Sequence, residues 1–129
     1  IPGLSKTISV YSPQNTVSVS GSGIVQVNSA ASQNTFISYS IALFVDSQLA
    51  AVRNFLLNGN ENCLYNDFNV YFNINNVSVG NHLIELRETL RVTEIASQSI
   101  AFGSKHSACS NLSPLMDKSI MTVQTSEKP

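Results

Sequence analysis

Apolar side chains recur at every second position over several segments of this chain, and no long segment carries a helical apolar period. Alternation of that kind sets one row of side chains in a core and the other in water, so it predicts strands. Ile8 and Val10 open the series, and Val17, Val19, Val25 and Val27 continue it on either side of Gly21-Ser22-Gly23. Glycines inside an alternating run predict a bulge or a tight bend.

FISYSIALFVD, residues 36–46, is the most informative segment. Ile37, Tyr39, Ile41, Leu43 and Val45 form one wholly apolar row, expected in the core. The opposite row reads Phe36, Ser38, Ser40, Ala42, Phe44. A solvated face normally carries charge, so this row is expected to be covered by a neighbouring subunit or a terminal strand. Asp46-Ser47-Gln48 reads as a short hairpin turn and LAAVRNFLL, 49–57, as the returning strand. NGNENCLYN, 58–66, has turn composition; FNVYFNINNV, 68–77, then sets Phe68, Val70, Phe72 and Ile74 on one side and mostly asparagines on the other. HLIELRETLRV at 82–92, IASQSIAFG after it, and SIMTVQT at 119–125 complete a series of about eight strands with short turns. The expected fold is all-β: an antiparallel β-sandwich built as a jelly roll, with an immunoglobulin-like sandwich as the alternative.

At 129 residues the chain fits a single domain spanning 1–129. Only 12% of residues are charged and the net charge is −1, with serine and asparagine supplying polarity instead. There is no basic field for phosphate backbones or anionic lipid, so nucleic acid is not an expected partner. No apolar run approaches the roughly 20 residues that span a bilayer, and membrane insertion is not expected either. The opening IPGLSKTISV lacks a charged region followed by a hydrophobic one; a secretion signal, had there been one, is expected to have been removed. Cys63 and Cys109 lie in loop-like surroundings without C-x-x-C spacing, which disfavours zinc and leaves either one disulfide or two unpaired thiols.

The segment NNVSVGNHLIELRE, 75–88, poses the question of a site, because His82 stands beside Glu85, Arg87 and Glu88. Gly80 and Asn81 suit a tight turn or positive φ, with His82 as the first strand residue. Glu85 and Arg87 point to one face; Glu88 falls on the other, with Ile84 and Leu86. The strand is therefore expected to end or bulge at Glu88 and carry it to the rim, in preference to a buried ion pair with Arg53 or Arg91. His82 and His106 have no metal-ligand spacing, and no metal or cofactor is expected. A hydrolase using His82 with Glu85 or Glu88 has no supporting serine motif or paired-carboxylate spacing. Asn76-Val77-Ser78 and Asn111-Leu112-Ser113 match the N-glycosylation pattern. Tyr11, Tyr65 and Tyr71 are candidates for a sugar-stacking platform, or else they cover the core and loops.

In order, VSVSGSGIVQV, a strand into VDSQLAAVRNFLL, NDFNVYFNINNVSVGNHLIELR and a closing SIMTVQT resemble the tumour-necrosis-factor-like and complement-globular-head-like jelly rolls of bacterial and phage surface proteins, over roughly residues 17–125. Ser47 stands where the hairpin glycine of that pattern is usual. The resemblance implies a trimeric, non-enzymatic head on a secreted protein, cell or particle surface that binds a protein receptor or glycan. Its trimer contact would be sought at Phe36, Ser38, Ser40 and Phe44. The alternative reading is a monomeric immunoglobulin-like accessory module.

Overall fold

The computed structural model describes residues 4–28, 35–59, 63, 65–93, 99–102, 109 and 119–129. Among these there are eight strands and no helix: β1 (Ser5–Val10), β2 (Asn15–Asn28), β3 (Thr35–Val45), β4 (Gln48–Gly59), β5 (Tyr65–Asn75), β6 (Gly80–Thr93), β7 (Ser99–Phe102) and β8 (Ile120–Glu127). All pairings are antiparallel. One sheet has the order β1-β6-β3-β4. In the other, β5 takes one edge of β2 while β8 and β7 share the opposite edge end to end, β8 along residues 15–22 and β7 along 25–28.

The core lies between the inward rows of the two sheets. Tyr39, Ile41, Leu43, Ile84 and Leu86 meet Val17, Val19, Val25, Phe68, Val70 and Phe72, all of them buried. Tyr39 stacks on Phe55 from β4 at 5.3 Å and meets the edge of Phe102 from β7 at 5.7 Å, so one ring joins the two sheets. The side chains of Phe36 and Ile37 lie outside the described residues.

The glycines of β2 are not a bulge. Register with β5 runs unbroken from Thr16 to Gln26. Both are needed for close approach: a Cβ on Gly21 would stand 2.4 Å from Leu86 Cδ1, and one on Gly23 would stand 2.8 Å from Phe68 Cζ. The small residues let the second sheet accept bulky neighbours against its backbone.

Asp46 and Ser47 both take positive φ, 51° and 65°, between paired Val45 and Gln48. That is the two-residue turn whose twist matches its strands, formed here with serine where glycine would cost less. A register shift follows at once between Leu43 and Phe44.

β6 begins two residues before the expected start. Gly80 takes φ 130°, while the left-handed asparagine is Asn76 (φ 57°), not Asn81. Nor does β6 end or bulge at Glu88: it runs on to Thr93, with Glu88 opposite Ile41, and its irregularity falls later, facing Ser38 and Tyr39. Glu88 is half-buried on the inward row just past the β1 ladder, which stops at Ser5 opposite Glu85. One of its carboxylate oxygens, Oε2, is buried, so the carboxylate is not carried to the rim. Arg53, one of the two partners of the alternative ion pair, is exposed and lies over the Phe72 ring at 5.3 Å; the side chain of Arg91 lies outside the described residues.

The Cys63 and Cys109 sulfurs are bonded. Cys109 is buried, and the Cys63 carbonyl accepts from Gln26 Nε2 at 2.9 Å. Gln26 and Ile24 point away from the core of the sandwich yet are buried, Gln26 against the Cys63 carbonyl.

Candidate functional site

The outer face of the β5-β2-β8 sheet is nearly uncharged. The register aligns cross-strand rows: Asn69–Ser22–Ile120, Tyr71–Ser20–Thr122, Asn73–Ser18–Gln124 and Asn75–Thr16–Ser126. Asp67, on the same side of β5, is the one ionisable carboxylate among these outward strand positions. Such a face arises because the outward positions of β2 from Thr16 to Ser22 are serine or threonine and those of β5 opposite them are asparagine or tyrosine, at period two. The hydroxyls of Ser18 and Thr16 donate to Asn73 Oδ1 (2.6 Å) and Asn75 Oδ1 (2.9 Å), and the Tyr71 hydroxyl donates to Ser18 Oγ at 3.4 Å. Fixing each amide by its oxygen leaves its N–H groups as donors at the surface.

This face runs into a cavity of about 410 Å³ lined by Gln14, Asn15, Thr16, Asn75, Asn76, Ser126 and Lys128. Its floor is rigid. The buried Asn15 amide donates to the carbonyls of Ser12 (2.8 Å) and Val77 (2.7 Å) and accepts from Val77 N–H (3.0 Å), tying together the loops before β2 and after β5.

Of the three tyrosines singled out from sequence, Tyr71 stands on this face, 58% exposed. Tyr65 shares its side of β5 six residues away, roughly 20 Å along the strand. Tyr11, 80% exposed, lies in the loop before β2. The structure does not gather the three into one platform.

His82 is buried, the third residue of β6 on the inward row, not a surface or turn histidine. Its partner is neither Glu85 nor Glu88 but Asp46 of the β3–β4 turn, with Nδ1 2.6 Å from Oδ2. Nε2 lies 2.6 Å from the Ser78 carbonyl and 3.4 Å from its hydroxyl. A carbonyl only accepts, and an ionised carboxylate only accepts, so both ring nitrogens carry protons. A ring donating from both nitrogens has no lone pair with which to take a proton from Ser78. The arrangement is a clasp that fastens the β3–β4 turn to the start of β6, aided by Leu83 N–H donating to Asp46 Oδ1 at 2.8 Å. Glu85 and Arg87 pair on the outer face at 2.8 Å, as alternation implies.

The clasp titrates in a defined window. Hydrogen bonding to Asp46 holds His82 above its ordinary 6.5, and hydrogen bonding to His82 holds Asp46 below its ordinary 3.8. A raised histidine contributes fully below pH 6.5 and loses its contribution as pH rises through the folded value; a lowered aspartate contributes above 3.8 and loses its contribution as pH falls through the folded value. His82→Gln is therefore expected to cost most stability between these limits, by about 1 kcal/mol because Asp46 is half-exposed, and progressively less above them. Denaturant midpoints of both proteins across pH check this; a pH-independent difference would refute the charged clasp.

Of the predicted contact row, Ser40 and Ala42 are buried and Phe44 is half-buried. Part of the cover comes from within the chain, since the Arg87 guanidinium sits 4.2 Å from the Phe44 ring centroid. Leu49, Val52 and Leu56 of β4 stand opposite Phe44, Ala42 and Ser38 and remain exposed. The Phe36 side chain, His106 and Asn111-Leu112-Ser113 lie outside the described residues. Asn76 is exposed in its turn. Among the described residues no three His, Cys, Asp or Glu side chains gather as a metal site.

Sequence reasoning missed Asp46 as the partner of His82 and the amide–hydroxyl rows of the second sheet. The rows had a signal, the serines of VSVSGS and the asparagines of NVYFNIN at period two; the Asp46 contact, 36 residues distant, had none. Compared with protein-family models, curated proteins and solved structures, the chain matches none.

Proposed function

We propose that this domain is a non-enzymatic binding head of a secreted or surface protein, and that the outer face of the β5-β2-β8 sheet contacts uncharged sugar hydroxyls. The observation that carries this is the set of fixed amides and hydroxyls around exposed Tyr71. Sugars without charge require paired donors and acceptors beside an aromatic surface, and gain nothing from a charged field. The bonded Cys63 and Cys109 support an oxidising compartment. A glycan array followed by calorimetry tests the reading. Neutral glycans are expected to bind, and Tyr71→Ala to weaken the best of them by about tenfold, equivalent to about 1.4 kcal/mol. Absence of any glycan hit, or equal affinity in the variant, would count against it.

The pairing of β2 with β5, β3 with β6 and β3 with β4 supports the immunoglobulin-like arrangement over the jelly roll, because that arrangement pairs B with E and C with F, and sets C′ beside C. The exposed Leu49, Val52 and Leu56 beside Phe44 favour self-association on the outer face of the other sheet. Light scattering is expected to give the mass of a trimer at micromolar concentration, and a monomeric mass would rule out that version.

A further inference from the structure

The last strand of an immunoglobulin-like chain, G, takes the edge of F. Here β8 returns to β2 instead, and the corresponding edge of β6 is filled by the first strand, β1. We infer that β1 is an exchangeable strand, and that residues 4–10 of one copy occupy the β6 edge of a second copy, linking molecules of this protein to one another.

Three features carry this. Among the described residues β1 is the end strand of its sheet and its only ladder is with β6. It is nevertheless strongly specified: Leu4 and Val10 are buried, Ile8 packs against the core, and Leu86 N–H donates to the Leu4 carbonyl at 3.0 Å. Alternate anchors plus main-chain bonds are how an added strand is recognised at a sheet edge. Finally, β2 belongs to the other sheet, so Tyr11–Gln14 passes between sheets without being part of a strand. Within it Pro13 has no N–H to give, while the N–H groups of Tyr11 and Ser12 donate to Glu127 Oε1 at 2.6 and 2.8 Å. Opening this link frees β1 as a unit and leaves every pairing of the second sheet intact.

A strand placed in a second copy makes the same contacts it makes in its own, so exchange is cheap once copies meet. The four-residue link reaches at most about 14 Å, so exchanged copies stand close together. Reciprocal exchange closes a dimer; exchange in one direction leaves a bare β6 edge at one end and a free β1 at the other, and grows an open chain.

The exposed pair Ser9 and Asn81 reads the strand's location, because they face each other in the ladder with Ser9 Oγ 2.7 Å from Asn81 Oδ1. Full-length Ser9→Cys and Asn81→Cys proteins are mixed at high concentration, incubated below the onset of unfolding, then oxidised and analysed on non-reducing gels with peptide mapping. The expected result is an inter-chain 9–81 bridge, well above the yield of a collision control in which Ser18→Cys replaces Ser9→Cys. Placing Ser9→Cys and Asn81→Cys in one chain and oxidising at low concentration locks β1 at home and is expected to abolish the concentration-dependent species beyond the outer-face trimer in light scattering. A mixture yielding no more 9–81 bridge than the control overturns the proposal, as does a locked protein that associates as the unlocked one does.

Discussion

Replacing Cys63 and Cys109 together by serine is expected to lower the unfolding free energy by about 4 kcal/mol, the chain-entropy value for the loop closed by a separation of 46 residues. That loop contains β5, β6 and β7, strands of both sheets, so its release enlarges the unfolded ensemble for much of the fold. A local loss adds to it, because the Cys63 carbonyl that accepts from buried Gln26 is held in place by the bridge. Urea titration of the variant against the oxidised protein measures the effect. A difference under about 1 kcal/mol would mean that the bridge closes a loop already held by packing.

Tyr39→Ala should be comparably costly, about 4 kcal/mol, as for other large aromatic truncations in cores. Tyr39 is fully buried between Phe55 and Phe102, so the vacated space is walled by stiff rings that close it poorly. Its hydroxyl, 3.4 Å from Asn66 Nδ2, gives a second readout. Burial pushes this phenol up to about 12. The folded value exceeds the ordinary 10.0, so native Tyr39 keeps a proton that the unfolded chain releases, and stability falls as pH rises from 10 toward 12. Tyr39→Phe is expected to keep most of the packing and lack this alkaline loss. A steep loss in both proteins alike would assign it to other groups.

Much of the architecture was legible because alternation speaks directly about faces. The row Tyr39, Ile41, Leu43 is core, the Asp46–Ser47 hairpin is where its composition put it, and eight strands are present among the described residues. What was not legible depends on partners distant in sequence. Gly21 and Gly23 looked like a bend because their reason lies in Leu86 and in Phe68, rings and branches that no local window includes. Glu88 looked like a strand end because alternation alone sets a carboxylate on the inward row, and what surrounds it there comes from strands distant in sequence. The partner of His82 was not legible because Asp46 reaches it only after β3, β4 and β6 have come together. The uncharged rows of the second sheet were visible as composition, yet became a surface only through the register of β2 with β5 and β8.

The sharing of one β2 edge by β7 and β8 sets a timetable for synthesis. β2 emerges from the ribosome well before β8, whose residues 120–127 pair with its residues 15–22. At about 5–20 residues per second, that edge stays bare for several seconds after β5 has paired with the other side. During that interval the nascent chain offers an open template to any passing strand, and the serines and threonines along β2, in place of a longer apolar run, temper the hazard.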